Sequence, residues 1–542
     1  PPASPEQGYH LSEDLVDRAS GFIHDTVSVR PDRPFFLYLA FGATHAPHQA
    51  PPEYLAKYRG KFDAGWDAAR DEWFARQQKA GLVPPGTDLA PRNPGVEPWD
   101  SLPENQQRLA ARMQEAFAAF LDHTDAQIGR LLADLDALGL TQDTIVVLVS
   151  DNGASQEGGP YGVMHEMKFF NFMLETPDEA IHRIDDIGGP NSHANYPWGW
   201  AQAGNTPFRW YKQNTHEGGV HVPFIVSWPG HIADPGGLRR QFHHAVDVAP
   251  TLYEAIGVTP PSTYRGFEQI PIAGTSMLYT LDSPDAPTTK QAQYFEMNGH
   301  RGIWNGDWKA VTRHTQNVAY DDDVWELYKV SEDFSECHDL AAAEPEKLKE
   351  MVDLWWAQAR EHGVLPLDDR TIELFMTRYD DNSPHPTSKR YVYKPPMSPL
   401  PAQAGATLAG SRFALTARIT RAAGQNGVLL ATGTANAGLS WFVEDERLVV
   451  DYNAFGDHTV CISDVEVPTG DAEVGLRFTR AGGEGDFELL IGDAVAGTCH
   501  VPLAMRIMSS IGHSVGFDHG SPVSPRYSTP NAFEGTIHEI EI

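Results

Sequence analysis

The stretch that most constrains this chain is Thr144-Ile-Val-Val-Leu-Val149, which runs directly into Ser150-Asp-Asn-Gly153. Six residues, nearly all β-branched or apolar, ended by glycine, predict a strand buried on both faces, hence a parallel one. Open α/β sheets bind ligands beyond the carboxyl ends of such strands. Asp151 and Asn152 stand at that place, and a carboxylate beside an amide carbonyl suits a hard cation such as Ca²⁺ or Mg²⁺. The same four residues also fit an Asx-type turn with no ligand. Taken alone, the stretch leaves both readings open.

A second strand is predicted at Phe35-Phe-Leu-Tyr-Leu-Ala-Phe41, followed at once by Gly42-Ala-Thr-His-Ala-Pro47. His45 therefore lies just past a strand end, as Asp151 does. Ahead of strand 35–41 the chain reads as helical at 11–29, with Ser12 as N-cap and Leu15, Val16, Ala19, Phe22 and Ile23 on one stripe. An irregular excursion follows over 52–103, then a long helix over 103–139 whose apolar stripe includes Leu109, Met113, Phe117, Phe120, Leu121, Ile128, Leu131, Leu132 and Leu135. His123 and Asp125 lie within this helix and read as polar-face or packing residues. Strand, crossover and strand form a βαβ arrangement with a large insert.

Residues 154–210 read as a long loop with one helix near 177–187. They lead into Asn205-Thr-Pro-Phe-Arg-Trp-Tyr-Lys212 and His216-Glu-Gly-Gly219, then a strand at 221–228. Lys212, flanked by aromatic residues, is either a pocket wall or a solvated lysine. A short helix is expected at 245–256. Four short strands near 293–297, 301–304, 308–311 and 325–328, with a helix over 345–359, predict a small antiparallel sheet with a helical cover. A linker dense in Pro, Ser and Gly spans 381–408. Beyond it, seven or more short alternating segments between Gly, Asp and Asn turns predict a β-sandwich of jelly-roll or lectin-like type, read as structural rather than chemical. The expected division is thus 1–289, 290–380, the linker 381–408, and 409–542.

With Lys+Arg 41 against Asp+Glu 73, the net charge of −32 argues against nucleic acid and anionic membranes as partners. No stretch approaches the roughly 20 apolar residues of a membrane span. Cys337, Cys461 and Cys499 are far apart, with no CxxC pair, which argues against a thiolate zinc site and a disulfide framework. The opening Pro-Pro-Ala-Ser-Pro carries no signal peptide and reads as internal to a longer protein, leaving cytoplasmic and periplasmic locations open.

Several motifs together resemble the bacterial arylsulfatases of the sulfatase family, within the alkaline-phosphatase-like superfamily. They are Pro34-Phe-Phe-Leu-Tyr-Leu-Ala-Phe with Thr44-His-Ala-Pro47, Asp125-Ala-Gln-Ile-Gly-Arg-Leu-Leu132, Val146-Val-Leu-Val-Ser-Asp-Asn-Gly153, Thr206-Pro-Phe-Arg-Trp-Tyr-Lys212 with Glu217-Gly-Gly-Val-His-Val-Pro223, and Trp325-Glu-Leu-Tyr-Lys-Val with Asp339-Leu. The resemblance implies an α/β fold: an alkaline-phosphatase-like mixed sheet flanked by helices, N-terminally truncated, with a small α+β subdomain and a C-terminal all-β sandwich. It implies hydrolysis of a small-molecule sulfate ester. Asp151 and Asn152 would be ligands of one Ca²⁺ or Mg²⁺, and His45 and Lys212 would contact the sulfate group. The family's nucleophile is a formylglycine made from Cys or Ser in Cys/Ser-x-Pro-x-Arg, and no such motif occurs in these 542 residues. An Asp-Asp pair that completes the metal shell in the family is likewise not found ahead of His45. The expectation is a chain that lacks the family's N-terminal segment and is inactive alone. A phosphonate monoester or phosphodiester hydrolase of the same superfamily and a non-catalytic homologue are the alternatives.

Overall fold

The computed structural model describes residues 7–171, 173, 175–370, 388–402, 404–506 and 511–542. Part of the expected linker, 381–387 and 403, and the end of the expected subdomain, 371–380, lie outside them.

Helix α1 (Leu11–Val29) forms where the apolar periodicity places it and buries Val16, Ala19 and Ile23. Its cap differs from the expected Ser12: the Ser12 amide, already inside the helix, donates to Nδ1 of His10 at 3.2 Å. Phe22, assigned to the apolar stripe, faces out at 62% exposure. Helices α2 (Pro52–Tyr58) and α3 (Gly65–Lys79) give order to the excursion. Helix α4 (Glu104–Ala137) is the long helix and packs on α1 and α2. Its buried positions meet an aromatic cluster in which Trp66, Trp99 and Trp200 contact one another edge to face. His123 in α4 is fully buried and bonded to Glu13 of α1 at 2.9 Å, the packing role expected of it.

The central stretch forms β1 (Val146–Val149), but not as a buried parallel strand. It pairs antiparallel with β2 (Phe224–Ser227), Leu148 opposite Ile225, in a two-stranded sheet. Val147 and Val226 line an apolar seam with Leu252 and Met277. On the other face, Leu148 and Ile225 stand 42% and 55% exposed. Residues 35–41 form no strand pairing, and Phe36 and Tyr38 are about four-fifths exposed. Apolar content alone does not make a buried strand; neighbours on both edges and both faces do.

After a minimal hairpin of β3 (Thr263–Tyr264) and β4 (Phe267–Glu268), the four expected strands form an antiparallel meander. These are β5 (Gln293–Met297), β6 (His300–Asn305), β7 (Trp308–Thr312) and β8 (Trp325–Tyr328). The helix Pro345–Glu361 lays Met351, Trp355 and Ala359, spaced by four, onto Ile303, Ala310 and Leu327.

The C-terminal region is all β. Its strands are β9 (Val392–Tyr393), β10 (Arg412–Arg421), β11 (Gly427–Thr434), β12 (Ala437–Glu444), β13 (Arg447–Ala454), β14 (Asp457–Glu466), β15 (Gly470–Ala481), β16 (Glu484–Ile491), β17 (Ala494–Val501), β18 (His513–Val515) and β19 (Thr536–Glu541). Six of them form a sheet in the order β17-β16-β15-β10-β19-β9, and five form a second, β14-β13-β12-β11-β18. Inward residues of both, among them Leu415, Trp441, Val450, Leu476 and Phe487, make one continuous core. The fold class expected from the sequence, α/β followed by a small α+β unit and an all-β sandwich, is the one observed. Among the described residues no helix is long and apolar enough to cross a membrane.

Candidate functional site

Three loops converge beyond the end of β1. The loop carrying Asp151 and Asn152 leaves β1, and its next residues are clamped on both sides. The Gly153 amide donates to the Gly219 carbonyl at 3.0 Å, and the Ala154 amide to the Asn205 side-chain carbonyl at 2.9 Å. The Lys212 amide in turn donates to the Ala154 carbonyl at 3.0 Å. Glycine is required here by proximity: a Cβ on Gly153 would sit 1.8 Å from the Gly218 carbonyl oxygen. A Cβ on Gly218 would lie 2.0 Å from that of Arg209.

The Lys212 loop is held in an unusual backbone. Trp210 and Gln213, neither of them glycine, have φ of +62° and +74°. Such conformations cost on the order of 1 kcal/mol or more and persist only where neighbours over-determine them. Here Asn93 accepts from the Trp210 amide at 3.1 Å, Asn205 donates to its carbonyl at 3.0 Å, and the Arg313 guanidinium lies 3.7 Å above its ring.

The side chain so placed meets His45. Lys212 Nζ lies 3.2 Å from His45 Nε2, between residues 167 apart in sequence. His45 Nδ1 lies 2.7 Å from the Ala46 carbonyl, which can only accept. Nδ1 therefore carries the proton, and Nε2 offers its lone pair to the lysine ammonium. Lys212 also ion-pairs with Glu157 at 3.2 Å. Burial alone would raise the Glu157 carboxyl, but the Ser155 hydroxyl and the Lys212 charge outweigh it and hold the group below its usual range. Glu166 is opposite in behaviour. Burial, reinforced by Glu157, pushes its carboxyl up to about 7 against the pull of His45 and Lys212. Glu157, Glu166 and Gln213, which donates to Glu157 at 3.0 Å, were not singled out from sequence. Only the position of Glu157, six residues past Asp151, could have pointed to one of them.

Asp151 and Asn152 sit on the outer side of this junction. Asp151 Oδ1 accepts from the Asn152 amide at 3.0 Å, and Asn152 Nδ2 donates to the Gly153 carbonyl at 3.0 Å. That orientation leaves the Asn152 side-chain oxygen and most of the exposed Asp151 carboxylate available. In kind, these oxygens fit a hard cation. They come from two residues, and among the described residues no group of three or more His, Cys, Asp or Glu side chains gathers to hold a metal.

Two further layers hold the site. His216 and Glu217 follow the Lys212 loop. His216 bonds Glu326 of β8 at 3.0 Å. Glu217 pairs with Lys309 of β7, and Lys309 also meets Glu336 at 3.0 Å. On the opposite flank, the Glu166 amide donates to the His193 carbonyl at 3.0 Å, and the His165 and His193 rings stack with centroids 4.4 Å apart. Burial pushes these two imidazoles down to about 2 and about 4, so both are neutral. The sandwich reaches this wall: Asn436, between β11 and β12, bonds His193 at 2.7 Å. Phe455, between β13 and β14, packs on His165 with centroids 4.8 Å apart.

Residues 1–258 match the family model described as Sulfatase, and residues 207–359 the one described as N-sulphoglucosamine sulphohydrolase, C-terminal. A Schizosaccharomyces pombe protein described as an uncharacterized sulfatase is 31% identical over 343 residues, covering 62% of this chain and 59% of that protein. The arylsulfatase of Klebsiella aerogenes is 29% identical over 292 residues, 54% of this chain and 59% of the relative. The chain thus spans less than two thirds of the length of either. Among solved structures, that of Ps i-CgsB aligns with 69% of this chain and 60% of its own, at 20% identity and a TM-score of 0.40.

Proposed function

We propose that this protein, whose residues 1–258 match the Sulfatase family model, is a sulfuric ester hydrolase of the arylsulfatase type, with the sulfate group of a small ester bound between His45 and Lys212. The observation that carries the reading is the contact of Lys212 with His45, on a loop bonded to the one that bears Asp151 and Asn152.

The chemistry follows from the charges. Cleaving a sulfate ester builds negative charge on the sulfuryl oxygens and on the leaving oxygen. The Lys212 ammonium can turn from the His45 lone pair to a sulfuryl oxygen. Glu157, already paired with it, keeps the ammonium in place while the site is empty. Freed of Lys212, His45 Nε2 can take a proton and deliver it to the leaving oxygen, with Nδ1 anchored on the Ala46 carbonyl to hold the ring. Asp151 and Asn152 would hold Ca²⁺ or Mg²⁺. When bound, such an ion neutralises charge on the transferring oxygens. The family's formylglycine has no counterpart motif in these 542 residues, so no bond-making step is assigned to a residue of this chain.

The test uses the purified 542-residue chain. Calorimetry should detect inorganic sulfate binding that is lost in Lys212→Ala and weakened in His45→Ala. The same chain should release no p-nitrophenol from p-nitrophenyl sulfate. Turnover that disappears in Asp151→Ala would overturn the account of the nucleophile, and sulfate binding that survives Lys212→Ala would overturn the anion site.

A further inference from the structure

Two of the three cysteines come together where the two sheets of the sandwich meet at one edge. β14 ends the five-stranded sheet and β17 ends the six-stranded one, and these two outer strands lie against each other. Cys461 stands opposite Val450 on the neighbouring strand β13, and Cys499 opposite Phe487 on β16. Val450 and Phe487 both belong to the core between the sheets, so each cysteine points inward from its own sheet. Cys461 is 3% exposed, and Cys499 is partly buried against the same core. The backbones nearly touch beside them. A Cβ on Gly497 would lie 3.0 Å from the Ile462 carbonyl oxygen and 3.3 Å from the Ser463 Cα. Glycine at 497 thus permits a close approach two residues from Cys499 and one from Cys461. Each thiol is the group that most perturbs the other, and both are free.

We infer that Cys461 and Cys499 are a redox-active pair that oxidises to a disulfide and staples the two sheets along the β14–β17 seam. With a small disulfide such as oxidised glutathione as oxidant, the step balances. One of the two thiols, as thiolate, attacks one glutathione sulfur and releases glutathione thiolate, leaving a mixed disulfide on the protein. The other thiolate then attacks that protein sulfur and releases the second glutathione. Two protein thiols give up two electrons and two protons, and one glutathione disulfide becomes two glutathione thiols. The bond closes a loop of roughly 40 residues, a length at which cross-linking restricts the unfolded chain strongly. Cys337 is outside the sandwich, in the segment after β8, with its thiol beside the Ser335 hydroxyl at 3.4 Å.

The experiment incubates the full chain with oxidised glutathione, quenches free thiols by alkylation, and maps peptides without reduction. The expected result is a Cys461–Cys499 cross-linked peptide and a thiol count under denaturing conditions that falls from three to one. The sandwich's thermal midpoint should rise by on the order of 5–10 °C and return with dithiothreitol. Cys499→Ser should abolish the shift and Cys337→Ser should retain it. Three titratable thiols after oxidation, a bridge involving Cys337, or a shift that survives Cys499→Ser would overturn the assignment. Peptide mapping of the unaltered chain decides the matter even if a cysteine variant fails to fold.

Discussion

Lys309 offers the sharpest test of how the site is held. Its side chain is 1% exposed and is shared by Glu217 at 12% and Glu336 at 0%. Burial alone would lower the Lys309 ammonium, but the two carboxylates outweigh it and raise it. Burial alone would raise the Glu217 carboxyl, yet Lys309 and His221 hold it well below the usual range. Lys309→Met keeps most of the side chain's length, removes its charge and leaves two buried carboxylates without their shared cation. Breaking a buried ion pair from one side costs about 3–5 kcal/mol, a large part of the roughly 5–15 kcal/mol that holds a domain together. For a unit of about 150 residues this lowers the melting midpoint by on the order of 10 °C. Urea unfolding followed by tryptophan fluorescence reads it directly, since Trp304 and Trp308 lie on β6 and β7. The triple variant Lys309→Met/Glu217→Gln/Glu336→Gln should recover most of the loss, because no uncompensated charge remains. The pH dependence has a fixed sign. A carboxyl depressed in the folded state contributes stability above its unfolded pKa of about 4.3 and loses it as pH falls. The gap between wild type and Lys309→Met should therefore close below about pH 4. A loss under about 1 kcal/mol at pH 7, or a gap unchanged by acid, would refute the reasoning.

Two further outcomes follow. Glu166 is held up to about 7 by burial, so between pH 6 and 8 it gains a negative charge near Lys212 and His45. Sulfate binding should weaken over that interval by on the order of tenfold, and Glu166→Gln should flatten most of that step in calorimetric titrations; a step of full size in the variant would count against it. The Leu148–Ile225 pair leaves an apolar face open to water, so the chain should bind anilinonaphthalene sulfonate and scatter light increasingly with concentration. Ile225→Lys should reduce both without lowering the melting midpoint, and an unaltered dye signal would reject this surface as the cause.

The sequence carried the local elements well wherever one face of a periodic segment decides its fate. Helix 11–29, the four-strand meander and the alternating strands of the sandwich were legible because their patterns repeat over many residues. Phe35–Phe41 and Val146–Val149 were less so. An apolar run states what a strand would bury, not whether neighbouring strands lie beside it. At the site, His45 and Lys212 could be named because each follows a strand-like run or a cluster of glycine and aromatic residues. That they touch, which nitrogen of His45 bears the proton, and that Glu157 pairs with Lys212 depend on loop geometry across residues as far as 167 positions apart. The Cys461–Cys499 approach was hidden for the same reason: spacing along the chain says nothing about two edges of a sandwich.

The hairpin tips of the sandwich that grip His193 and His165 make the wall beside Glu166 joint property of two folds. The consequence is one of inheritance. Residues 434–437 and 454–457 answer to a partner outside their own core, so drift in those two turns is felt at the mouth of a site to which they contribute no reacting atom. A sandwich exchanged between such proteins would carry its tips with it, and with them the shape of its neighbour's entrance.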